Sequence, residues 1–185
     1  MERSSIVLAD PECVWIDDGP WSRGYFCKRA PVRIDGALVA ELKAEAARLG
    51  DRNVRLCLHD SPDAAFHEMV IVERWGKYYR PHKHLRKGES YHVIEGEMGA
   101  FVFDEYGRIL DASRLSAEGN FLYRVGANMY HAVMPLTDLV VYHEAKPGPF
   151  LREGDSVYPP WAPDGSDSEA AIRYTAELLR ALGNR

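Results

Sequence analysis

The sequence predicts a mostly β protein, a sandwich or barrel of short strands with a helix at each end. Three observations carry that expectation. Between residues 54 and 145, short apolar segments recur with turn signals every 8–12 residues or so. A helical apolar period appears in only two places, 36–49 and 168–182. The stretch Gly76–Gly96, GKYYRPHKHLRKGESYHVIEG, sets two histidines one residue apart between glycines, a pattern made for strand and turn.

Taken in order, residues 1–34 give a mixed signal. Ile6–Leu8 and Cys13–Ile16 read as short strands, Asp17-Asp18-Gly19-Pro20 as a turn, and Phe26 as part of a further strand. This extension either adds strands to the main body or forms a dimer contact. Residues 35–185 form the single main domain. Gly36–Leu49 is a helix: Asp35 can cap it, Leu38, Leu42, Ala46 and Leu49 recur at helical spacing, and Gly50 follows its end. Val54–Leu58 is a strand and Ser61-Pro62-Asp63 a turn. The strands expected next are His67–Trp75, Tyr78–His84, Ser90–Glu95, Gly99–Asp104, Ile109–Ser113, Phe121–Val125, His131–Met134 and Leu139–Ala145. Glu105-Tyr106-Gly107-Arg108 is a hairpin turn. KPGPF and SVYPPWAPDGSDS favour an ordered loop, anchored by Phe150, Tyr158 and Trp161. A last helix spans about Ser168–Leu182, capped by Asp167 or Ser168, with Ile172, Leu178, Leu179 and Leu182 inward.

Composition excludes several function classes. The chain has 185 residues, 46% hydrophobic and 28% charged, with a formal net charge of -5. That is an ordinary globular composition. Net negative charge argues against nucleic-acid binding or a membrane-surface role driven by bulk electrostatics. No apolar run approaches the roughly 20 residues that cross a bilayer, and MERSSIVLAD has no basic-then-apolar leader pattern. Cys13, Cys27 and Cys57 are odd in number and widely spaced, so they are expected as reduced packing residues in a cytoplasmic protein. No nucleophile elbow, phosphate loop or dinucleotide fingerprint is present.

The chemistry concentrates in Gly76–Gly96. Residues two apart in a strand share a face, so His82 and His84 would aim both imidazoles at one point. A turn at Lys87-Gly88 would bring Glu89 back to meet them. Imidazole plus carboxylate suits Mn, Fe(II), Co, Ni or Zn rather than Ca or Mg. If Tyr78–His84 is regular, Tyr78 and Arg80 face inward with the ligands. A buried arginine needs a partner, either Glu97 or the carboxylate or phosphate of a bound molecule. His92 has the opposite parity to Glu89 and should point away.

The spacing of Gly76, His82, His84, Glu89 and Gly96 resembles the first signature of the cupin superfamily at every position. A second motif would lie in Asn120–His131, where Gly126-Ala127-Asn128-Met129-Tyr130-His131 stands for a Pro-x-Gly-x-x-His pattern. Asn128 can hold the left-handed turn there. Pro135 stands where an asparagine is usual. The resemblance makes His131 a fourth ligand and implies a double-stranded β-helix, the cupin or jelly-roll barrel. Within the superfamily, residues from about Val32 to Leu182 are similar to the WbuC family. That likeness rests on Arg55-Leu56-Cys57-Leu58-His59, Tyr79–His84, Phe103–Arg108 and Pro160-Trp161-Ala162-Pro163.

The resemblance implies one divalent transition metal, Fe, Mn, Ni or Zn, held by His82, His84, Glu89 and His131. It also implies a link to surface-polysaccharide biosynthesis, a small-molecule ligand and, by analogy, a homodimer, with no nucleic acid and no membrane. Tyr130, beside His131, and His59, in the family-like segment, join Tyr78 and Arg80 as expected ligand contacts. Three functions stand as expectations. One is a small metalloenzyme, an isomerase or oxidase, acting on a sugar-derived or other small polar acid. The others are an Fe(II)-dependent dioxygenase and a non-catalytic metal- or ligand-binding module. A metal-free sugar epimerase is a weaker option, because no aspartate partners His131.

Overall fold

Two sheets face each other around an apolar interior. The structure, a computed structural model, describes residues 6–183. Residues 1–5 of the expected extension and 184 and 185 of the expected domain lie outside the described residues, and the leader reading falls partly on the former. The strands are β1 (Val14–Asp18), β2 (Ser22–Cys27), β3 (Asn53–Cys57), β4 (Phe66–Arg74), β5 (Glu89–Glu95), β6 (Glu97–Phe103), β7 (Ile109–Ser116), β8 (Leu122–Val125), β9 (Tyr130–Pro135) and β10 (Leu139–Pro147). The helices are α1 (Gly36–Leu49) and α2 (Ser168–Gly183). One sheet runs β1-β2-β3-β4-β10-β5-β8 and the other β7-β6-β9. Every named pairing is antiparallel except β2 with β3. Together they make a jelly-roll barrel, a double-stranded β-helix.

Three apolar layers hold it. Between the sheets lie Tyr91, Val93, Met98, Ala100, Leu115 and Tyr142. On the outer face of the large sheet, α1 buries Leu38, Val39, Leu42 and Ala46 against β2, β3 and β4. Asp35 Oδ1 accepts from Leu38 N at 2.9 Å, which satisfies one of the helix's free N–H groups. On the outer face of the small sheet, Leu178 of α2 packs with Phe101, Phe103 and Met134. Asp167 caps that helix through Ala170 N at 3.1 Å. No helix among the described residues is long and apolar enough to cross a membrane.

Several expected elements are corrected. Ile6–Leu8 forms no strand; Ile6 and Leu8 are nevertheless buried, filling the α1 layer as irregular chain. Asp17 and Asp18 belong to β1, where Arg55 and Arg23 pair with them, so the turn begins at Gly19. β1 and β2 extend the large sheet. Ile172 is 69% exposed, because Ala171 and Leu178 define the packed face of α2 and Ile172 falls beside it. Phe150 and Tyr158 are about half exposed, while Trp161 packs against Phe103 and Tyr130.

The most consequential correction is Tyr78–His84. It is extended chain, not a strand, and its ladder contacts are two isolated bridges, His82 with His131 and Lys83 with Val157. Pro81 interrupts it, having no N–H to give a ladder. His82 N and His131 N each donate to the other's carbonyl, at 3.0 and 2.8 Å. The ligand end is therefore stitched to the small sheet while residues 78–80 run free of it.

The turn between β5 and β6 depends on Gly96, whose φ is +78°. A Cβ there would lie 2.4 Å from Leu139 O and 2.7 Å from Thr137 Oγ1. Gly96→Ala should destabilise the fold by about 2–4 kcal/mol. Urea unfolding measures it, and a loss well under about 1 kcal/mol would mean that this turn has room to relax.

Candidate metal centre

Two adjacent hydrogen bonds, His82 to His131, bring the loop before β5 against β9, and the barrel brings β5 across. Asn128 holds the turn before β9 with φ +59° and donates its N–H to His84 O at 2.7 Å. Gly88 lets the chain pass close to β8: a Cβ would lie 2.8 Å from Val125 O. The result gathers His82, His84, Glu89 and His131, with one ligand atom from each lying within 4.8 Å of the others. His84, Glu89 and His131 are buried and His82 is half-buried.

The second nitrogen of each ring explains the aim of the first. His82 Nδ1 lies 3.4 Å from Arg80 O, His84 Nδ1 2.5 Å from Asp155 O, and His131 Nδ1 2.9 Å from Met129 O. A carbonyl can only accept, so each Nδ1 carries the proton and each Nε2 of a neutral ring presents a lone pair. Two of those lone pairs meet a carboxylate. His131 Nε2 faces Glu89 Oε1 in close contact, and His84 Nε2 lies 3.5 Å from Glu89 Oε2. His84 Nε2 is buried with no hydrogen-bond partner among the described residues. Lone pair against carboxylate is repulsive unless a proton or a cation lies between them. The donor set and the orphaned nitrogen fit a divalent transition metal.

The surroundings tune the same groups. Burial, helped by His131, pushes the His82 pKa down to about 4, so it is neutral at physiological pH, as a ligand must be. For His84 burial opposes the charged form, but the Glu89 carboxylate and the Asp155 carbonyl outweigh it and raise the pKa. Glu89 is nearly fully buried, which alone would raise its pKa. With a proton shared at the His131 and His84 contacts, those hydrogen bonds and the Lys146 charge outweigh that and hold it well below the usual range. Tyr91 OH donates to Glu89 Oε1, and Lys146 Nζ lies 3.3 Å from Oε2 and 2.8 Å from Glu144 Oε1. Burial disfavours the Lys146 charge, but Glu144 and Glu89 raise its pKa and keep it protonated.

The other expected contacts lie elsewhere. Tyr78 OH donates to Pro163 O at 2.8 Å, and its ring meets Tyr174 edge-on. The Arg80 guanidinium lies 4.8 Å from the Tyr158 ring centroid and donates to Pro159 O at 3.3 Å. Glu97 is not its partner, being paired with Arg114. With the strand interrupted at Pro81, the parity that would turn Tyr78 and Arg80 inward does not apply. Tyr130 is on the opposite face of β9 from His131, under Trp161 and Lys83. His59 stacks on His67, with centroids 4.2 Å apart. His92 is exposed, as its parity requires.

His59 and His67 line a cavity of about 170 Å³ with Phe26, Met69, Glu144 and Lys146. Lys146 joins this cavity to the cluster, since the same Nζ reaches Glu89. Sequence reasoning missed Tyr91, Glu144, Lys146 and Asp155. Tyr91 carried a signal, standing two residues after Glu89 on the same strand face.

Residues 34–115 match a family model described as Domain of unknown function (DUF6016). No curated protein matches the chain. Among solved structures, the capsular polysaccharide assembling protein CapF from Staphylococcus aureus is similar with 16% identity and a TM-score of 0.48, over 57% of this chain and 29% of that one. A Cellulomonas parahominis L-ribose isomerase, solved with L-psicose, is similar with 18% identity and a TM-score of 0.47, over 60% of this chain and 70% of that one. Bacillus subtilis oxalate decarboxylase is similar with 14% identity and a TM-score of 0.45, over 57% and 27%. The chain spans less than a third of the length of CapF and of the decarboxylase. At such identities the function has to be read from the site itself.

His59 and His82 are both held near pKa 4, against 6.5 for a free histidine, chiefly by burial. A depressed histidine stabilises the fold fully above the unfolded value and less as pH falls towards the folded one. Chelator-treated protein should therefore lose about 1–3 kcal/mol between pH 6.5 and 4. Glu89, also depressed, acts in the same direction, whereas the raised His84 opposes it. Urea midpoints across that range test it; a flat or rising profile would show that the two rings are not held neutral.

Proposed function

We propose that the chain is a small metalloenzyme of the cupin type, acting on a sugar-derived or other small polar acid. The observation that carries this reading is the pair of Nε2 atoms, of His84 and His131, turned on the buried Glu89 carboxylate with His82 gathered beside them, each ring fixed by a backbone carbonyl behind it. Such preorganisation of ligands from three separate segments has no packing purpose. The WbuC likeness agrees with it, and the link to surface polysaccharide rests on that likeness alone.

When bound, the ion would supply Lewis acidity towards a carbonyl or hydroxyl of the substrate. The chain's residues would do the rest. His82, His84, His131 and Glu89 would hold it, and Tyr91 would orient Glu89. The cavity of about 170 Å³ takes a molecule of roughly benzene size, and its walls combine Phe26, Met69 and Ile71 with Arg55, Glu144 and Lys146. Lys146, protonated and buried, would draw the acid group of the substrate towards the cluster. His59, neutral at physiological pH because burial holds its pKa near 4, would add no charge to the cavity, its Nδ1 being engaged with the Glu68 backbone. A redox-active metal would open the second reading, an Fe(II)-dependent dioxygenase. A metal with no exchangeable position would leave a binding module.

Elemental analysis of protein purified without added metal should find close to one equivalent of Fe, Mn, Ni or Zn. His84→Ala and His131→Ala should each lose it with the fold retained by circular dichroism. Less than a tenth of an equivalent in the parent protein, together with no uptake on dialysis against each metal, would end the reading. Oxygen uptake after anaerobic Fe(II) loading, with candidate acids added, then separates the dioxygenase from the rest.

A further inference from the structure

A second concavity, sharing no residue with the metal cluster, runs along the chain before His82. It has a volume of about 840 Å³, and its walls include Trp21, Trp75, Arg74, Lys77, Tyr78 and Arg80. That is the size of a small-molecule site. Trp21 is 84% exposed and Trp75 45%. Two indoles left in water at one groove offer flat apolar faces for something to cover.

The groove is also rich in cations. Arg52, also in its wall, is held by Asp18 at 2.5 Å. Arg74, Lys77 and Arg80 have no carboxylate within ion-pair distance among the described residues. Lys77 Nζ donates only to Asn53 Oδ1, at 2.6 Å. Asp51 and Asp164 line the groove too, and Asp164 is engaged with Ser166. On a chain with net charge -5, this is a local excess of cations.

The groove wall also holds an unmet polar atom, Arg80 Nε, which is buried without a hydrogen-bond partner among the described residues. Behind the wall the Glu73 carboxylate lies against Tyr79 and Tyr142 and accepts from Asn53 Nδ2 at 3.2 Å. Glu73 is only 7% exposed, and burial pushes its pKa up to about 7. Buried polar groups left without partners are costly, and they gather where a ligand supplies the missing bonds.

We propose that this groove binds a small anionic sugar derivative, a sugar acid or sugar phosphate. Arg74, Lys77 and Arg80 take the carboxylate or phosphate, and Trp21 and Trp75 take the ring face. Aromatic faces suit the C–H side of a sugar ring, and a guanidinium grips an oxyanion in a fork. The groove needs no metal, so the proposal stands apart from the function proposed above.

The test is calorimetric titration of the full chain with glucuronate, glucose 1-phosphate and glucose, with tryptophan fluorescence recorded in parallel. At least one of the two anions should bind saturably at millimolar concentration or below and change the fluorescence. Glucose should bind about tenfold more weakly. The double variant Arg74→Gln, Lys77→Met should lose about tenfold in affinity for the anion. Trp21→Ala, whose side chain is almost wholly in solvent, serves as a second variant safe for folding and should weaken binding too. Chelator treatment should leave binding unchanged, which separates this groove from the metal centre; glucuronate then identifies a carboxylate site and glucose 1-phosphate a phosphate site. The proposal fails if neither anion binds, if glucose binds as well as both, if both groove variants bind like the parent, or if chelator treatment abolishes binding.

Discussion

A buried carboxylate that must not be left facing bare lone pairs organises this protein. Glu89 lies inside the barrel, 2% exposed, with Nε2 of His131 and of His84 turned towards it. The carbonyls of Met129 and Asp155 claim the other nitrogens, so neither ring can rotate to offer Glu89 an N–H without abandoning a hydrogen bond. Burying an acid amid neutral acceptors is unfavourable by several kcal/mol or so in a medium this dry. Tyr91 and Lys146 offset part of that, and a cation at the shared point would offset the rest. The local fold follows from this requirement. The paired bonds between His82 and His131, the left-handed Asn128 and the close approach at Gly88 each keep one ligand on station.

Much of the barrel was legible because its signals are local. Alternation and turn residues mark β4, β5, β6 and β10 to within a residue or two, and a capping aspartate plus apolar period mark both helices. The ligand set was legible because His82, His84 and Glu89 are close in sequence. What failed did so where long-range contacts decide. Parity is a property of paired strands, and Pro81 removes the pairing on which the inward turn of Arg80 and Tyr78 relied. Asp155 and Lys146 were invisible because nothing local marks a loop carbonyl that will meet His84 some 71 residues away, or a lysine that will meet Glu89 from the neighbouring strand 57 residues on. Ile172 misled because its helix has a narrower packed face than its apolar residues suggest.

Lys146 illustrates how the site and its cavity are one electrostatic unit. Its ammonium touches both Glu144 and Glu89, so the three together carry one net negative charge. A divalent ion would turn that to one net positive charge, and the cavity wall would then favour a monoanion over a neutral molecule of the same size. The proposed preference for an acid would thus follow from charge counting around Glu89, with Arg55 half-exposed and already near Asp17 adding little.

The segment that defeated the parity argument also connects the two concavities. Arg80 presents its carbonyl to His82 Nδ1, while its side chain leaves in another direction, across Tyr158 and towards the groove lined by Trp75 and Lys77. A regular strand could not do this, since its alternation would commit residues 78, 80 and 82 to one face. Freed from the ladder by Pro81, these residues are not held to one face: Tyr78 meets both the α2 helix and the groove, Arg80 the groove and loop, and His82 the candidate metal cluster. The irregular backbone is therefore what lets a short stretch of chain supply a ligand to the barrel interior and a cation to its outer surface.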